Sequence, residues 1–201
     1  MAANHQLWVA GLFDLDADDN FDQNGARIVK YMTTLVSYRP NTGHQEIVID
    51  VVPPASHDNF TVENGIHILA GKLIDNNLQG THLFCQRWDS LATCTLYMSY
   101  QNLVNVVQAI GTGNITSVEF NQQIPEIATS LIVRHRSYDS ICLNYVTFEV
   151  EYMFKRDLAE SLGADESFIG TEINIIGQMV GRNNLSGRWS IMATEYNVGG
   201  Q

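Results

Sequence analysis

The chain has 201 residues, of which 45% are hydrophobic and only 16% are charged, which is the composition of a folded protein rather than a disordered one. Its 22 acidic and 11 basic residues give a net charge of −11, which argues against broad electrostatic binding to duplex DNA or to an anionic membrane surface. No apolar stretch approaches the ~20 residues that span a bilayer, and the N-terminal sequence lacks the basic region of a signal peptide.

Runs rich in β-branched and aromatic residues, separated by turns rich in Gly, Asn, Asp and Pro, predict strands along most of the chain. The run "TFEVEYMF" alternates: Phe148, Val150 and Tyr152 share one face, and the residues between them share the other. Such alternation is typical of antiparallel sheets with one buried face. The predicted strands cover residues 6–13, 26–38, 46–52, 66–74, 81–89, 96–111, 128–138, 145–154, 172–181 and 188–198.

One helix is predicted, at residues 155–167. Leu158, Ala159 and Leu162 recur there at helical spacing, and Gly163 is placed to end the helix. The corresponding stretch of the first half, residues 53–65, begins with two prolines and is interpreted as a loop. The segment "GTGNITS", residues 111–117, is interpreted as a hairpin turn, because it lacks the lysine of a phosphate-binding loop.

An internal repeat organises the chain. The segment "IHILAGKLIDNNLQG" at residues 66–80 aligns with "INIIGQMVGRNNLSG" at 173–187, and both contain the sequence NNL-x-G. Each is an apolar run followed by a polar turn and another apolar run. A repeat spaced by half the chain indicates duplicated domains rather than a solenoid.

Each half then contains three strands, a helix or loop, and a two-strand hairpin. In this order of elements the chain resembles proteins built from paired OB-folds, which are small Greek-key barrels. At the residue level the resemblance rests on "LWVAGLFD" (7–14), "VVQAIGTG" (106–113) and the two hairpin segments. It implies an all-β chain with one short helix and two tandem five-stranded OB-like barrels, at residues 1–95 and 96–201. The alternative is a single jelly roll or β-sandwich.

Motifs for catalysis and for metal binding are missing from the sequence. There is no G-x-S-x-G, P-loop or G-x-G-x-x-G, so we expect no enzyme and no cofactor. The histidines form no ligand motif; His67 and His82 lie on the two strands of one predicted hairpin, where surface packing is favoured over metal ligation. Cys85, Cys94 and Cys142 have no motif spacing, which favours free thiols and an intracellular location in the nucleus or cytoplasm.

Arginines beside aromatic residues are the remaining functional pattern. The segment "IVRHRSYD" places two arginines and a tyrosine on one face of a strand and Val133 and His135 on the other. An OB groove that binds single strands needs flat rings for base stacking and cations for phosphates. The ordinary alternative is that these are core, interface and solvated surface residues. The candidate residues are Arg134, Arg136, Tyr138, Arg182, Arg188 and Trp189 in the second half, and Tyr38, Arg39, Lys72, Arg87 and Trp88 in the first.

Two hypotheses of different classes follow. The first is a non-catalytic protein that binds single-stranded DNA or RNA through the groove of the second barrel. The second is an acidic structural or protein–protein interaction module, with a protein partner or a second copy of the chain, since its apolar strands are suited to pairing or packing. Neither hypothesis involves a membrane.

Overall fold

A computed structural model of the protein describes residues 5–17, 21–23, 26–28, 31–32, 49–52, 65–76, 80–90, 106–120, 126–183 and 185–199. The chain divides into two compact units. The first unit is Trp8–Val107, and the second is Gln108–Gln201 together with Met1–Leu7. The boundary predicted between residues 95 and 96 lies outside the described residues.

The described part of the second unit contains five long strands, one α-helix and one 3-10 helix. The strands are β8 (Val107–Phe120), β9 (Ile127–Asp139), β10 (Asn144–Lys155), β11 (Glu172–Arg182) and β12 (Trp189–Val198). The α-helix α1 (Arg156–Leu162) and a 3-10 helix (Glu166–Phe168) lie between β10 and β11.

The strand pairings of the second unit close into a ring. Antiparallel pairs join β8 to β9, β9 to β10, β11 to β12 and β11 to β8, and a parallel pair joins β10 to β12. β8 pairs with two strands because its first half lies beside β11 and its second half beside β9. Each of the five strands therefore has a neighbour on both sides, and the sheet is mixed.

The first unit repeats part of this arrangement. Its strands are β1 (Leu7–Ala17), β2 (Phe21–Gln23), β3 (Ala26–Ile28), β4 (Tyr31–Met32), β5 (Asp50–Val52), β6 (Gly65–Asn76) and β7 (Gly80–Ser90). β1 lies beside β6, β6 is antiparallel to β7, and β7 is parallel to β5. Both units therefore contain a hairpin with the same two neighbours. One strand of the hairpin, β11 or β6, lies beside the first strand of the unit, and the other, β12 or β7, pairs in parallel with a further strand.

In both hairpins the repeated NNL-x-G sequence lies where the first strand ends and the chain leads to the second. Gly80 and Gly187 both have positive φ, 96° and 69°, a region that favours glycine. At the second turn the side chain of Asn183 accepts hydrogen bonds from the backbone N–H groups of Leu185 and Ser186, at 3.0 and 3.3 Å. The short polar side chain and the glycine therefore fix the turn locally, as in other turns of this composition.

The prediction of an all-β chain is confirmed, and the described residues contain one short α-helix, as predicted. All ten predicted strands overlap strands of the structure at their centres or over their described part. For the strand predicted at residues 96–111, residues 96–105 lie outside the described residues, and 107–111 belong to β8. β8 continues through "GTGNITS", so the interpretation of that segment as a hairpin turn was wrong. Gly111 is required there by packing, since a Cβ at this position would overlap the hydroxyl of Tyr152.

The helix ends where the sequence predicts. Gly163 has φ 59° and ψ 30°, and its N–H donates to the carbonyl oxygen of Ala159 at 3.0 Å. A left-handed glycine in this position is a common way to terminate a helix. Ala159 and Leu162 are the buried residues of α1, as their spacing indicates. None of the helices in the described residues has the length and apolar character needed to cross a bilayer.

The N-terminal segment belongs to the second unit. The N–H of Thr112 in β8 donates to the Gln6 carbonyl at 2.9 Å, and the N–H of Arg136 in β9 donates to the His5 carbonyl at 2.8 Å. The His5 ring also lies 2.9 Å from the carboxylate of Glu172. This segment therefore supplies hydrogen bonds to both strands beyond the point where their own pairing ends at Asn114.

A buried polar pair lies inside the second unit. His135 has no exposed surface; its Nδ1 is 2.9 Å from the Thr112 carbonyl, and its Nε2 is 3.0 Å from the Tyr152 hydroxyl. Nδ1–H therefore donates to the carbonyl and Nε2 accepts from the tyrosine, which is the neutral ring. Phe148 stacks on the imidazole at 5.4 Å between ring centroids. Gly111 leaves the space that this pair occupies.

Candidate nucleic-acid interface

One exposed surface of the second unit brings together most of the predicted residues of that half. It consists of outward side chains of two neighbouring strands and one loop residue, and we call it the β9–β10 face. The alternation predicted for β9 is present: its arginines and tyrosine are exposed, whereas Val133 and His135 are buried. The β9–β10 face comprises Arg134, Arg136 and Tyr138 of β9, Tyr145, Thr147 and Glu149 of β10, and Arg188 before β12.

At one end of this face, two tyrosines oppose each other. Tyr138 and Tyr145 are directly paired across β9 and β10, and their rings are T-shaped with centroids 5.5 Å apart. They remain 42% and 53% exposed, so part of each ring is open to solvent. The guanidinium of Arg136 lies 4.7 Å from the centroid of the Tyr145 ring. Cross-strand and diagonal neighbours on one sheet face contact each other in this way.

In the middle of the face, two arginines hold one carboxylate. Arg134 lies directly opposite Glu149 and its Nη2 donates to Oε1 at 3.1 Å, while Arg188 Nη2 donates to Oε2 at 2.9 Å. The hydroxyl of Thr116 lies 3.2 Å from both Oε1 and the Ile132 carbonyl oxygen and can donate its one proton to either. Partial burial acts to raise the pKa of Glu149, but the hydrogen bonds and charges of the two arginines outweigh it, so this pKa lies below its usual range.

The charge of this face differs in sign from that of the chain. Its three arginines and one glutamate sum to +2, in a protein whose net charge is −11. In the part of the chain that the structure describes, Arg136 has the Tyr145 ring as its contact and no carboxylate within ion-pair distance. A cation beside two partly exposed rings can contact a phosphate and stack a base at adjacent points.

Arg182 and Trp189 are placed differently from the sequence-based expectation. Trp189 is completely buried, so neither face of its ring is available to a base. Arg182 lies 5.8 Å over that ring, and its Nε donates to the Gly187 carbonyl, which ties the two ends of the β11–β12 turn together. We therefore leave both residues out of the proposed surface and keep Arg188.

The candidates of the first half do not form a described site. Tyr38 and Arg39 lie outside the described residues, and Arg87 and Trp88 are in β7, with side chains that are also outside them. The Lys72 ammonium lies 5.5 Å over the Phe84 ring on the neighbouring strand. Among the described side chains, the candidates that lie together on one surface belong to the second unit.

The histidines of the β6–β7 hairpin are not cross-strand neighbours. His67 pairs with Ser90 and His82 pairs with Ile74, so the register separates them. His82 instead lies 3.5 Å from the Asp50 carboxylate, and both residues are buried. In the described part of the chain, no three His, Cys, Asp or Glu side chains come together in a group suited to a metal ion.

Sequence reasoning missed Tyr145, Glu149 and Thr116 as members of the site. For the first two a signal was present, because the alternation of "TFEVEYMF" places Glu149 on the outward face and, extended toward the start of β10, places Tyr145 there as well. Thr116 carries no such signal, since its contact with Glu149 depends on how β8 crosses from β11 to β9.

No protein-family model matches the chain, and no curated protein matches it at a significant level.

Proposed function

We propose that the chain is built from two OB-like Greek-key barrels and that it binds single-stranded DNA or RNA, without catalysis, on the β9–β10 face. The order of pairing in the second unit supports the fold. Its strands lie side by side in the order β8-β9-β10-β12-β11, and its helix lies between the third and fourth strands along the chain, β10 and β11. This is the arrangement expected of an OB-fold. The shared hairpin arrangement of the two units supports the duplication. In this fold the second and third strands are the usual ligand surface, and here they are β9 and β10.

The observation that carries the functional proposal is the contact between Arg136, Tyr138 and Tyr145. Single strands are bound by rings that stack on bases and by cations that follow the phosphates, without base-specific hydrogen bonds. The three side chains supply both kinds of contact within one small area, and Arg134 and Arg188 extend the positive charge along the face. A local positive surface on an acidic protein can bind a single strand while the net charge disfavours nonspecific contact elsewhere.

The test is a titration of fluorescent oligonucleotides of about 15 nucleotides, near the upper site size of one OB-fold. The protein should bind poly-dT or poly-rU at about 50 mM salt and bind more weakly at about 200 mM. Replacing Arg134 and Arg136 by Ala should weaken binding at least tenfold and make the salt slope shallower by about 1.4, since each phosphate contact contributes ~0.7. The control Lys155→Ala/Arg156→Ala removes the same charge from exposed positions at the start of α1.

Tyr138→Ala and Tyr145→Ala test the stacking contribution separately. Each should weaken binding by about 1–3 kcal/mol without changing the salt slope, because a stacked base involves no phosphate contact. If the parent protein binds no oligonucleotide at low salt, or if the double arginine variant binds as tightly as the parent, the nucleic-acid proposal is wrong.

A second candidate function, protein–protein interaction, is favoured by one observation. Ile110 of β8 and Ile176 of β11 are directly paired, and they are 53% and 37% exposed. The next outward pair along these strands is Gln108 with Gln178, which is also uncharged. An uncharged sheet face with adjacent isoleucines is suited to a partner or to a second copy. Light scattering at increasing concentration tests self-association, which Ile110→Thr/Ile176→Thr should abolish.

A further inference from the structure

On the basis of the proposed function, we propose that the Glu149 carboxylate competes with nucleic-acid phosphate for Arg134 and Arg188. In the free protein the carboxylate binds both arginines, and a phosphate of the bound single strand replaces it. Glu149 would thereby set the affinity of the β9–β10 face. The observation behind this proposal is that the Glu149 carboxylate lies between the guanidinium groups of Arg134 and Arg188, the two arginines that would extend the positive charge of Arg136 along the face.

The geometry gives Glu149 the contacts that a phosphate would take. Its two oxygens accept hydrogen bonds from different arginines, one on β9 and one in the loop before β12, at 3.1 and 2.9 Å. Guanidinium groups bind carboxylates and phosphates with the same planar fork of donors, so either anion can fill the position. The Thr116 hydroxyl, 3.2 Å from both Oε1 and the Ile132 carbonyl oxygen, can donate its one proton to either acceptor.

The exposure of the three side chains makes exchange of one anion for another feasible. Arg134 and Arg188 are 54% and 33% exposed, whereas Glu149 is 25% exposed. A phosphate that approaches from solvent can therefore reach unused donors of both arginines before the carboxylate leaves. Ion pairs this exposed are weak, so they can be exchanged on binding without disturbing the fold.

The charge balance gives the direction of the effect. With Glu149 ionised, the cluster of two arginines and one glutamate has a charge of +1, and without that carboxylate it would be +2. A phosphate must therefore displace or repel one negative charge to gain both arginines. Removing the carboxylate should raise affinity and add about one to two phosphate contacts to the salt dependence.

Glu149→Gln is the decisive variant, because it keeps the size of the side chain and one acceptor oxygen but removes the charge. We expect it to bind dT and rU oligonucleotides about tenfold more tightly than the parent, with a salt slope steeper by about 0.7 to 1.4. The control Glu195→Gln changes the net charge equally at an exposed position of β12 and should alter affinity by less than about twofold.

A second pair of variants tests whether the higher affinity of Glu149→Gln depends on the two arginines. In the Arg134→Ala/Arg188→Ala background, Glu149→Gln should not raise the affinity for oligonucleotide, because the donors that it would release are already missing. Thermal unfolding of each variant shows whether the second unit remains folded.

The outcomes separate this inference from the proposed function. If the parent binds and Glu149→Gln binds more tightly, both proposals are supported. Binding that only Glu149→Gln shows contradicts the proposed function, because the parent itself must bind at low salt, and the inference fails with it. If the parent binds and Glu149→Gln binds equally or more weakly, Glu149 positions the arginines instead, and the inference is overturned while the function stands. If neither protein binds either oligonucleotide, the proposed function fails and the inference fails with it.

Discussion

His135 should make the stability of the second unit depend on pH between about 7 and 4. The ring is completely buried, is held between the Thr112 carbonyl and the Tyr152 hydroxyl, and is stacked on Phe148. Burial lowers the pKa of His135 from its ordinary 6.5 to about 4, although the hydrogen bond to Thr112 partly opposes this shift. Between about pH 4 and pH 6.5, His135 is therefore mostly protonated in the unfolded chain but mostly neutral in the folded protein.

The sign and size follow from that difference. Since the pKa is lower in the folded state, the contribution of the neutral ring is complete above pH 6.5 and is lost as the pH falls toward 4. One pKa unit corresponds to about 1.36 kcal/mol, so the free energy of unfolding should fall by about 2 kcal/mol between pH 7 and pH 5 from this residue alone.

Urea unfolding at several pH values, followed by tryptophan fluorescence, measures this effect. His135→Gln keeps a donor and an acceptor but does not titrate, so its stability deficit relative to the parent should shrink by about 2 kcal/mol from pH 7 to pH 5. Phe148→Leu is the matched control: it weakens packing around the ring, removes no titratable group, and should leave a deficit of about 1 kcal/mol that is similar at every pH. A His135→Gln deficit that stays constant with pH would refute the argument.

Two further predictions concern packing and thiols. Gly177→Ala should destabilise the second unit by at least about 2 kcal/mol in urea unfolding, because a Cβ there overlaps the Met192 carbonyl oxygen. The control Gly199→Ala, where the nearest atom is 3.4 Å away, should destabilise it by under about 0.5 kcal/mol, and equal effects of the two variants would contradict this reasoning. Thiol titration of the denatured protein, purified without reductant, should find three free thiols, and finding one would contradict the prediction; in the native protein Cys142 should react before Cys85, which is buried and whose pKa burial raises to about 12.

The parts of the site that depend on local alternation were predictable from the sequence. A strand places successive side chains on opposite faces, so "IVRHRSYD" was sufficient to separate Arg134, Arg136 and Tyr138 from His135. The turn chemistry of Asn183 and Gly187 is local in the same sense. These features needed no knowledge of which strands are neighbours.

The parts that depend on contacts between distant segments were not predictable in this way. Gly111 resembles a turn glycine in the sequence, but the space it leaves is taken by Tyr152, two strands away in the ring. Trp189 resembles a stacking platform, but the packing of β12 buries it. The pairing of Glu149 with both Arg134 and Arg188 requires the register of β9 with β10 and the path of the loop before β12, and neither is encoded in a short window.

The position of the N-terminal segment has a consequence for biosynthesis. During synthesis His5 precedes its partner Glu172 by 167 residues. At about 5–20 residues per second, the segment waits roughly 10–30 s for that partner. Until Thr112 and Arg136 have been made, the carbonyl groups of Gln6 and His5 that bond to them are available to other strands, which makes the nascent chain a candidate for chaperone binding. A fragment beginning at residue 108 would lack this segment, so the N–H groups of Thr112 and Arg136 would lose the carbonyl acceptors of Gln6 and His5. We therefore expect the separated second unit to be less stable than the same unit in the whole chain.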